Sequence, residues 1–189
     1  WIQYILKIMD AKEQFNNQAK FYSSSKTFSA GESLNILSNL ISKKTFKYGL
    51  DVGTGAGFAA FELSKSCEKV EATDISEGMI NEARKIMKER EINNLSFNVC
   101  FAEELKYSDK EFDIVTCRTA AHHFLNVEKF CNEVHRVLKD DGELIIVDTI
   151  TSDQIKLNKW HQNVELIRDK SHIKNLSLIE WKNILKKAN

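Results

Sequence analysis

A glycine-rich turn between an apolar segment and a helical segment constrains the fold of this chain more than any other feature. Leu50-Asp51-Val52 ends the apolar stretch, Gly53-Thr54-Gly55-Ala56-Gly57 follows it, and a helical pattern begins at Phe58. Glycines at alternate positions permit unusual backbone angles and let the main chain approach a ligand without an intervening Cβ atom. A strand, a glycine turn and a helix in this order indicate a nucleotide-type binding site.

Short apolar segments alternate with helical segments through the middle of the chain. Strands are predicted at residues 46–52, 69–74, 95–100, 112–117 and 144–147. This alternation predicts an α/β fold, a doubly wound, Rossmann-like and mostly parallel sheet with helices on both faces. The last of these runs is continuously apolar, as expected for a strand covered on both faces.

Capping residues predict where several helices begin. Ser29–Glu32 and Ser177–Glu180 both have the three-residue spacing of a capping box, and each precedes a helical pattern. Asn126 is expected to cap a further helix. Near the start of the chain, a first helix is predicted to end at about Tyr22, and the serines at 23–25 to form a loop.

The charge balance bears on the class of partner. Lys and Arg together number 27, and Asp and Glu also number 27, so the formal net charge is zero. Proteins that wrap nucleic acid usually carry a basic excess, because neutralising phosphates supplies most of the affinity. The composition therefore argues against a dedicated nucleic-acid binder.

The lack of recognisable targeting segments and the spacing of the cysteines both predict a cytoplasmic protein. No apolar run approaches the roughly 20 residues that span a bilayer, so no transmembrane segment is expected, and the N-terminal stretch lacks the layout of a signal peptide. The four cysteines lack C-x-x-C spacing, which favours reduced, buried thiols over disulfides or a metal centre.

The spacing of the glycines narrows the class of ligand. A dinucleotide fingerprint has a third glycine three positions after the second, where this chain has Phe58, so the pattern here is G-x-G-x-G. Asp51 just before the turn would repel a pyrophosphate, whereas it would attract a cation such as the α-amino group of a methionine moiety. The dinucleotide interpretation is therefore the weaker one.

Charged residues lie at the carboxyl ends of four of the predicted strands, at Asp51, Asp74, Glu103 and Arg118. Ligands of doubly wound sheets bind outside the carboxyl ends of the strands. A carboxylate at Asp74 can accept from both hydroxyls of a ribose, and one at Glu103 can accept from an adenine amino group. Alternatively, Asp74 caps the next helix in competition with Ser76, and Glu103 is a solvated loop residue.

Several ordered motifs resemble those of class I S-adenosylmethionine-dependent methyltransferases. The resemblance covers about residues 15 to 150 and is greatest to the small-molecule branch, methyltransferase type 11, which includes the ubiquinone/menaquinone C-methyltransferases. The segments that carry it are Gly49 to Gly57, Glu71 to Ser76, Cys100 to Leu105, Phe112 to Phe124 and Leu138 to Asp148.

The resemblance implies a site for S-adenosylmethionine, with S-adenosylhomocysteine as the product. The glycine turn should line the methionine end, Asp74 should hold the ribose, and the residues after the second and third strands should surround the adenine. Arg118 should lie beside the cofactor, and Tyr22 should close over it. The implied cofactor-binding residues are Tyr22, Asp51, Gly53, Thr54, Gly55, Asp74, Ile75, Met79, Ala102, Glu103 and Arg118.

Two adjacent histidines after the fourth strand are candidates for catalysis. Methyl transfer to a carbon or a phenol requires removal of a proton, and histidine titrates near neutral pH. We predict His123 as the base rather than His122; the alternative is that one packs against the sheet and the other is solvated. Adjacent histidines do not readily chelate one ion, so no metal site is expected.

The resemblance also implies a domain layout. We expect a single domain in which residues 1–44 form an N-terminal helical cap, 45–150 the Rossmann-like core and 151–189 a helical segment on the acceptor side. The region from Leu166 to His172 should help to form the acceptor pocket, unless it is a solvated connector. The sequence does not supply the terminal pair of strands that usually lies beside the fifth strand, so that strand would be a bare edge. We expect either that the full gene continues, or that a partner, such as a second copy in a homodimer, or the terminal helices cover this edge.

The absence of proline bears on the methyl acceptor. Methyltransferases that act on adenine or glutamine amino groups typically carry an Asn/Asp-Pro-Pro-Tyr segment, and cytosine enzymes use a Pro-Cys nucleophile; this chain has no proline. A small-molecule acceptor is therefore expected. Two alternatives stay open at this point: an NAD-dependent oxidoreductase, and a non-catalytic module that binds S-adenosylmethionine.

Overall fold

A computed structural model describes the backbone of residues 2–188 and the side chains of residues 11–188. Its centre is a five-stranded sheet in the order β3-β2-β1-β4-β5, and all four neighbouring pairs are parallel. The strands are β1 (Phe46–Val52), β2 (Cys67–Asp74), β3 (Leu95–Val99), β4 (Phe112–Arg118) and β5 (Leu138–Val147). The predicted doubly wound parallel sheet is confirmed.

Helices cover both faces of this sheet. They are α1 (Ile2–Ser24), α2 (Lys26–Ala30), α3 (Glu32–Ile41), α4 (Phe58–Leu63), α5 (Glu77–Glu89), α6 (Val127–Val137), α7 (Ile155–Arg168) and α8 (Leu178–Ala188). One core cluster packs α3, α4 and α5 against the sheet, around Leu37, Phe61 and Ile80. The other packs α6 and α8 against the opposite face, around Phe130 and Trp181. Burial of apolar surface on two faces is the main stabilising contribution in such a three-layer fold.

The strand order reverses direction at β1. The chain moves outward from β1 to β2 and β3, then returns to place β4 on the other side of β1. The loops after β1 and β4 therefore diverge and leave a crevice at the carboxyl ends of the strands, which is where ligands of such sheets bind. This topology places the glycine turn and Arg118 on either side of one crevice.

The prediction for the fifth strand is partly wrong. β5 begins at Leu138 and its apolar residues, 144–147, are half-buried instead of covered on both faces. Within the part of the chain that the structure describes, β5 pairs only with β4 and is an edge strand. An edge position leaves its outer side accessible, which explains the incomplete burial.

The helix caps were predicted with mixed success. Asn126 accepts a hydrogen bond from Lys129 N at 2.9 Å, as a cap of α6 should. Before α8, Ser177 N donates to Glu180 Oε2 (2.8 Å) and Glu180 N donates to Ser177 Oγ (3.3 Å), which is the predicted capping box. The Ser29 cap is wrong: Ser29 lies inside α2, and Gly31 occupies the cap position of α3.

The predicted serine loop is also shorter than expected. Ser23 and Ser24 belong to α1, where both hydroxyls donate to the carbonyl of Lys20, and only Ser25 lies between helices.

Among the helices that the structure describes, none has both the length and the apolar composition needed to cross a bilayer.

Candidate active site

A cavity of about 300 Å³ opens at the carboxyl ends of the strands, in the predicted crevice. Its wall contains all but one of the predicted site residues: Tyr22, Gly53, Thr54, Gly55, Asp74, Ile75, Met79, Ala102, Glu103, Arg118 and His123. Asp51 is the exception, because it lies beneath the glycine turn and has no exposed surface. One concave site thus brings together residues from α1, four strand ends and two turns.

Two glycines of the turn, Gly53 and Gly55, have positive φ angles but differ in what a Cβ atom would contact. Gly53 has a φ of 69°, and a Cβ there would lie 2.5 Å from the Cβ of Ala120. Gly55 has a φ of 54°, but a Cβ there would have no atom within 4 Å. Gly53 is therefore constrained by packing against the loop after β4, whereas Gly55 faces open space along the cavity wall.

Asp74, at the end of β2, is tied to the glycine turn. Its Oδ2 accepts from Gly55 N at 2.8 Å and its Oδ1 accepts from Ser76 N at 2.9 Å. Burial raises the pKa of this carboxyl, and the backbone donors of Ser76, Gly55 and Ile75 oppose that effect. Each carboxylate oxygen still has acceptor capacity, because an ionised carboxylate offers about four lone-pair sites. The helix cap itself comes from Ser76, whose Oγ accepts from Met79 N at 3.1 Å.

Asp51 is completely buried at the end of β1. Its Oδ1 accepts from Thr116 Oγ1 at 2.6 Å, while its Oδ2 has no hydrogen-bond partner among the described residues. Burial raises the pKa of Asp51 to about 6, against the opposing effects of the Thr116 hydrogen bond, the nearby Thr54 hydroxyl and the Arg118 charge. A buried carboxylate oxygen without a donor is costly in a folded protein, and the negative charge of an ionised Asp51 beneath the glycine turn favours a cationic ligand group above that turn.

Arg118, at the end of β4, also has spare hydrogen-bonding capacity. It donates through Nη1 to Ser33 Oγ (3.0 Å) and through Nη2 to the carbonyl of Phe28 (3.1 Å). Its Nε is buried without a partner. These bonds connect Arg118 to α2 and α3, and its guanidinium group places a positive charge on the cavity wall.

Glu103 has a role that the sequence did not predict. Its Oε1 accepts from Leu125 N (2.9 Å) and Asn126 N (3.2 Å), which fixes the start of α6. The residue is buried, so the expectation of a solvated loop acid is wrong. Ala102 and the buried Met79 lie beside it on the wall, together with the half-buried Ile75. This end of the cavity is lined by apolar groups with one carboxylate.

Helix α1 covers the cavity from above and is fixed to α5. Asn16 Oδ1 accepts from Ser76 Oγ (2.7 Å) and from Gly78 N (2.9 Å). Tyr22 stacks on Phe28 with ring centroids 4.5 Å apart. Phe15, which the sequence analysis did not single out, lies edge-on to His123 at 5.0 Å. The covering surface is therefore aromatic.

His123 lies on the wall in a nearly enclosed position. Its Nδ1 is 3.1 Å from the carbonyl oxygen of Ser171 and 3.0 Å from Ser171 Oγ, and its Nε2 is 3.9 Å from Asp169 Oδ2. Burial, followed by the charge of His122, lowers the pKa of His123 to about 4. The ring is therefore neutral near physiological pH and is a weak base.

His122 is the better-oriented imidazole. Its Nδ1 lies 2.6 Å from Oδ1 of Asp148, which follows β5, and His122 itself lines the cavity. The sequence contained a usable signal for Asp148, since it is a strand-end acid like Asp51 and Asp74. It was missed because the pairing joins residues that are far apart in the chain.

The segment after α7 is part of the site and not a solvated connector. Asp169, Ser171 and His172 are buried, and Arg168, Asp169 and Ile173 line the cavity. Asp169 accepts from Gln14 Nε2 of α1 at 2.8 Å and from Ser171 Oγ at 2.6 Å. This segment therefore connects the helical cover to the histidines.

Within residues 11–188, no group of three or more His, Cys, Asp or Glu side chains is arranged to hold a metal ion.

Residues 43–189 match the family described as "Methyltransferase domain". The chain is 34% identical over 173 residues to the uncharacterized methyltransferase YcgJ of Bacillus subtilis, an alignment that covers 92% of this chain and 68% of that protein. The chain belongs to the class I S-adenosylmethionine-dependent methyltransferases.

A solved structure and a second curated relative agree with the assignment of this chain as a methyltransferase. The crystal structure of YcgJ superposes with a TM-score of 0.80 at 33% identity, covering 82% of this chain and 67% of that one. A demethylmenaquinone methyltransferase from Bacteroides fragilis is 35% identical over 118 residues, or 58% of this chain and 46% of that protein. The methyltransferase chain thus spans about two thirds of YcgJ and under half of the quinone enzyme. The family assignment disfavours the oxidoreductase alternative.

Proposed function

We propose that this chain binds S-adenosylmethionine in the half of the cavity next to the glycine turn and transfers its methyl group to a small molecule bound in the other half. The observation that carries this proposal is the single cavity that joins the glycine turn and Asp74 to the histidines and the aromatic cover. Methyl transfer is an in-line displacement, so the protein mainly has to position the two reactants and exclude water.

The donor half fits the chemistry of the cofactor. Asp51 Oδ2, a buried acceptor without a donor, suits an ammonium group, and Gly55 leaves open space along the wall. Asp74 has acceptor capacity on both oxygens for the ribose hydroxyls. In this proposal Gly53, Thr54 and Arg118 lie at the methionine end.

The adenine is assigned to the apolar end of the donor half. Ile75, Met79 and Ala102 offer apolar contacts there. Because Glu103 Oε1 already accepts two backbone N–H groups, its Oε2 is the oxygen left for the amino group of the base. Tyr22 closes this half from α1, where it stacks on Phe28. When bound, the cofactor supplies an electrophilic methyl group on a sulfonium.

The acceptor half suits a small, largely apolar molecule. Phe15, Phe28 and Ile173 supply apolar surface, and the polar groups are concentrated at the two histidines and Asp169. The Bacteroides fragilis relative acts, by its name, on demethylmenaquinone, which supports an acceptor other than a protein or a nucleic acid here. The zero net charge of the chain gives no basic excess for a nucleic-acid substrate.

Binding and transfer are tested separately. Isothermal titration with S-adenosylhomocysteine should show saturable binding by the intact chain, and Gly53→Val should abolish it. Transfer of radiolabelled methyl from S-adenosylmethionine is then measured across phenols, quinols, amines and carboxylates. No binding by the intact chain contradicts the proposal; binding without transfer to any acceptor supports instead a non-catalytic cofactor-binding module.

A further inference from the structure

A short hydrogen-bonded pair, His122 and Asp148, joins the turn after β4 to the end of β5. Asp148 Oδ1 lies 2.6 Å from His122 Nδ1, and Asp148 Oδ2 accepts from the His122 backbone N–H at 3.1 Å. Thr149 N also donates to Oδ1, at 2.7 Å. The Asp148 side chain is only 3% exposed and that of His122 10%. One carboxylate thus fixes both the ring and the backbone of the same histidine.

The carbonyl of His122 is fixed as well. It accepts from Ile173 N at 2.9 Å and from Lys174 N at 3.1 Å. With the ring, the amide and the carbonyl all bonded, the histidine has little freedom to rotate. Its Nε2 makes no hydrogen bond to any residue from 11 to 188, and the residue lines the cavity. The arrangement therefore presents one imidazole nitrogen to a ligand.

An ionised carboxylate can only accept hydrogen bonds, so Nδ1 of a neutral His122 carries the proton and Nε2 has a free lone pair. Building on the function proposed above, we propose that His122 Nε2 takes the proton of a hydroxyl on the methyl acceptor and that Asp148 is its positioning residue. The O–H bond breaks, the new bond joins the methyl carbon to that oxygen, and the carbon–sulfur bond electrons stay on sulfur. The positive charge lost from the sulfonium reappears on the imidazolium, next to Asp148.

His123 is less suited to this step. Its pKa is lowered to about 4 by burial and by the charge of His122, and its Nδ1 already faces Ser171. Its ring centroid lies 4.1 Å from that of His122, and His172 is 5.7 Å from His122. Burial, followed by the charge of His122, lowers the pKa of His172. Of the three rings, only that of His122 has a described carboxylate oxygen within hydrogen-bond distance, since His123 Nε2 is 3.9 Å from Asp169 Oδ2 and His172 Nε2 faces Gln162 Oε1.

The surroundings of the pair combine aromatic surface with charged groups. The charged groups near the histidines are Asp148, Asp169, Glu165 and Arg168. Asp148 is bonded to His122, and Asp169 accepts from Gln14 Nε2, Ser171 N and Ser171 Oγ through Oδ1, while its Oδ2 lies 3.9 Å from His123 Nε2. Because Phe15 and Phe28 offer aromatic surface to the ligand, a planar phenol or naphthol is the class expected, and an amine cation is the competing class that the second test below distinguishes.

The first test reads the ring directly and does not depend on turnover. Nitrogen-15 NMR of histidine-labelled protein with S-adenosylhomocysteine bound should show His122 with a protonated Nδ1 and a free Nε2 in its neutral form. In Asp148→Asn, an amide can donate to Nδ1, so the neutral ring should change to the Nε2–H form. A neutral wild-type ring that is protonated on Nε2 overturns the proposal.

The second test measures methyl transfer to naphthol and, in parallel, to naphthylmethylamine, an alkylamine that is a cation at neutral pH. His122→Asn keeps an amide that can donate to Asp148 but has no atom in the place of Nε2. Its kcat on naphthol should fall by about 100-fold or more, with the affinity for S-adenosylhomocysteine unchanged within about twofold. His135→Asn is the matched control, because His135 is exposed on α6. An unchanged kcat in His122→Asn, or a wild type that prefers naphthylmethylamine, overturns the assignment.

The two proposals fail in different ways. Absence of S-adenosylhomocysteine binding by the wild type contradicts the proposed function itself. Binding with the wrong His122 tautomer, or with a His122→Asn variant as active as the wild type, contradicts only the role of the pair. Loss of kcat in Asp148→Asn accompanied by the tautomer change supports it, because a merely structural role of Asp148 would not invert the protonated nitrogen.

Discussion

Asp74 Oδ2 accepts a hydrogen bond from Gly55 N at 2.8 Å, so the acid at the end of β2 and the glycine turn after β1 form one hydrogen-bonded unit. This contact orients the carboxylate across the crevice between the two strand ends. It also means that a change at either residue disturbs the other. The proposed ribose site is therefore built by the turn as much as by the acid.

Replacement of Asp74 by Asn should weaken binding of S-adenosylhomocysteine by about 10- to 100-fold, since a hydrogen bond to a charged group contributes about 1.5–3 kcal/mol. The amide keeps one acceptor for the backbone donors but loses the second oxygen. Isothermal titration measures the change. Asp140→Asn is the control, because Asp140 is an exposed residue on β5. Equal affinities for wild type and Asp74→Asn would refute the ribose assignment.

The two glycines should respond differently to Ala. Gly53→Ala adds a Cβ at 2.5 Å from Ala120 Cβ in a residue with positive φ, so it should destabilise the protein by about 1–3 kcal/mol. Gly55→Ala has positive φ but no neighbouring atom within 4 Å, so it should destabilise less while its Cβ projects into the open space. Urea unfolding and titration with S-adenosylhomocysteine separate the two effects. The idea fails if Gly55→Ala binds as well as the wild type.

Asp51 should make cofactor binding depend on pH. Its pKa is raised to about 6 by burial, with Thr116, Thr54 and Arg118 opposing the shift and Asp74 adding to it. A protonated Asp51 cannot attract the ammonium group, so affinity for S-adenosylhomocysteine should fall as the pH drops below about 6 and level off above about 7. Titration between about pH 5 and pH 8 measures this, and Asp51→Asn should flatten the profile. Asp140→Asn should retain it.

The raised pKa of Asp51 also predicts how the stability of the folded protein depends on pH. Because the folded pKa lies above the unfolded value of 3.8, the folded state binds more protons between these values, and this contribution to stability is lost as the pH rises through about 6. A gap of about two units corresponds to about 3 kcal/mol. The stability of Asp51→Asn relative to wild type should therefore increase as the pH rises from about 4 to about 6 and stay constant above that, while the variant loses cofactor affinity. A stability difference that does not change with pH would contradict the assignment.

The capping box of α8 gives a test of local stability. Ser177→Ala removes the hydroxyl that accepts from Glu180 N and should destabilise the protein by about 1 kcal/mol. Ser29→Ala is a matched control, because Ser29 has the same spacing from an acid but lies inside α2 and caps nothing. Its effect should stay within about 0.5 kcal/mol. Denaturant midpoints of the two variants give the comparison.

The sequence predicted the parts of the fold that depend on local pattern. The glycine turn, the strand-end acids and the Ser177–Glu180 box are each specified within a few residues, and the structure has them in place. The Ser29–Glu32 spacing failed although it is equally local. Ser29 N donates to Ser25 O at 3.0 Å, so its backbone is helical and cannot adopt the extended conformation of a cap.

The contacts that complete the candidate site are long-range and had no local pattern. His122 and Asp148 are 26 residues apart, and Gln14 and Asp169 are 155 apart. Their pairing depends on the parallel register of β4 with β5 and on the position of α1 over the cavity. The choice between His122 and His123 likewise required knowledge of which ring faces a carboxylate. The periodicity and spacing of residues in the sequence carry no information on these long-range pairings or on which histidine ring faces a carboxylate.

The central claim is tested most directly by a crystal structure of the wild-type chain soaked with S-adenosylhomocysteine. We expect the ribose hydroxyls on the Asp74 carboxylate, the amino group near Asp51, the adenine between Met79 and Ala102, and the sulfur facing the part of the cavity that His122 lines. The free space beyond the sulfur then defines the size of the acceptor. Density for the ligand elsewhere, or with its ribose away from Asp74, would contradict the account.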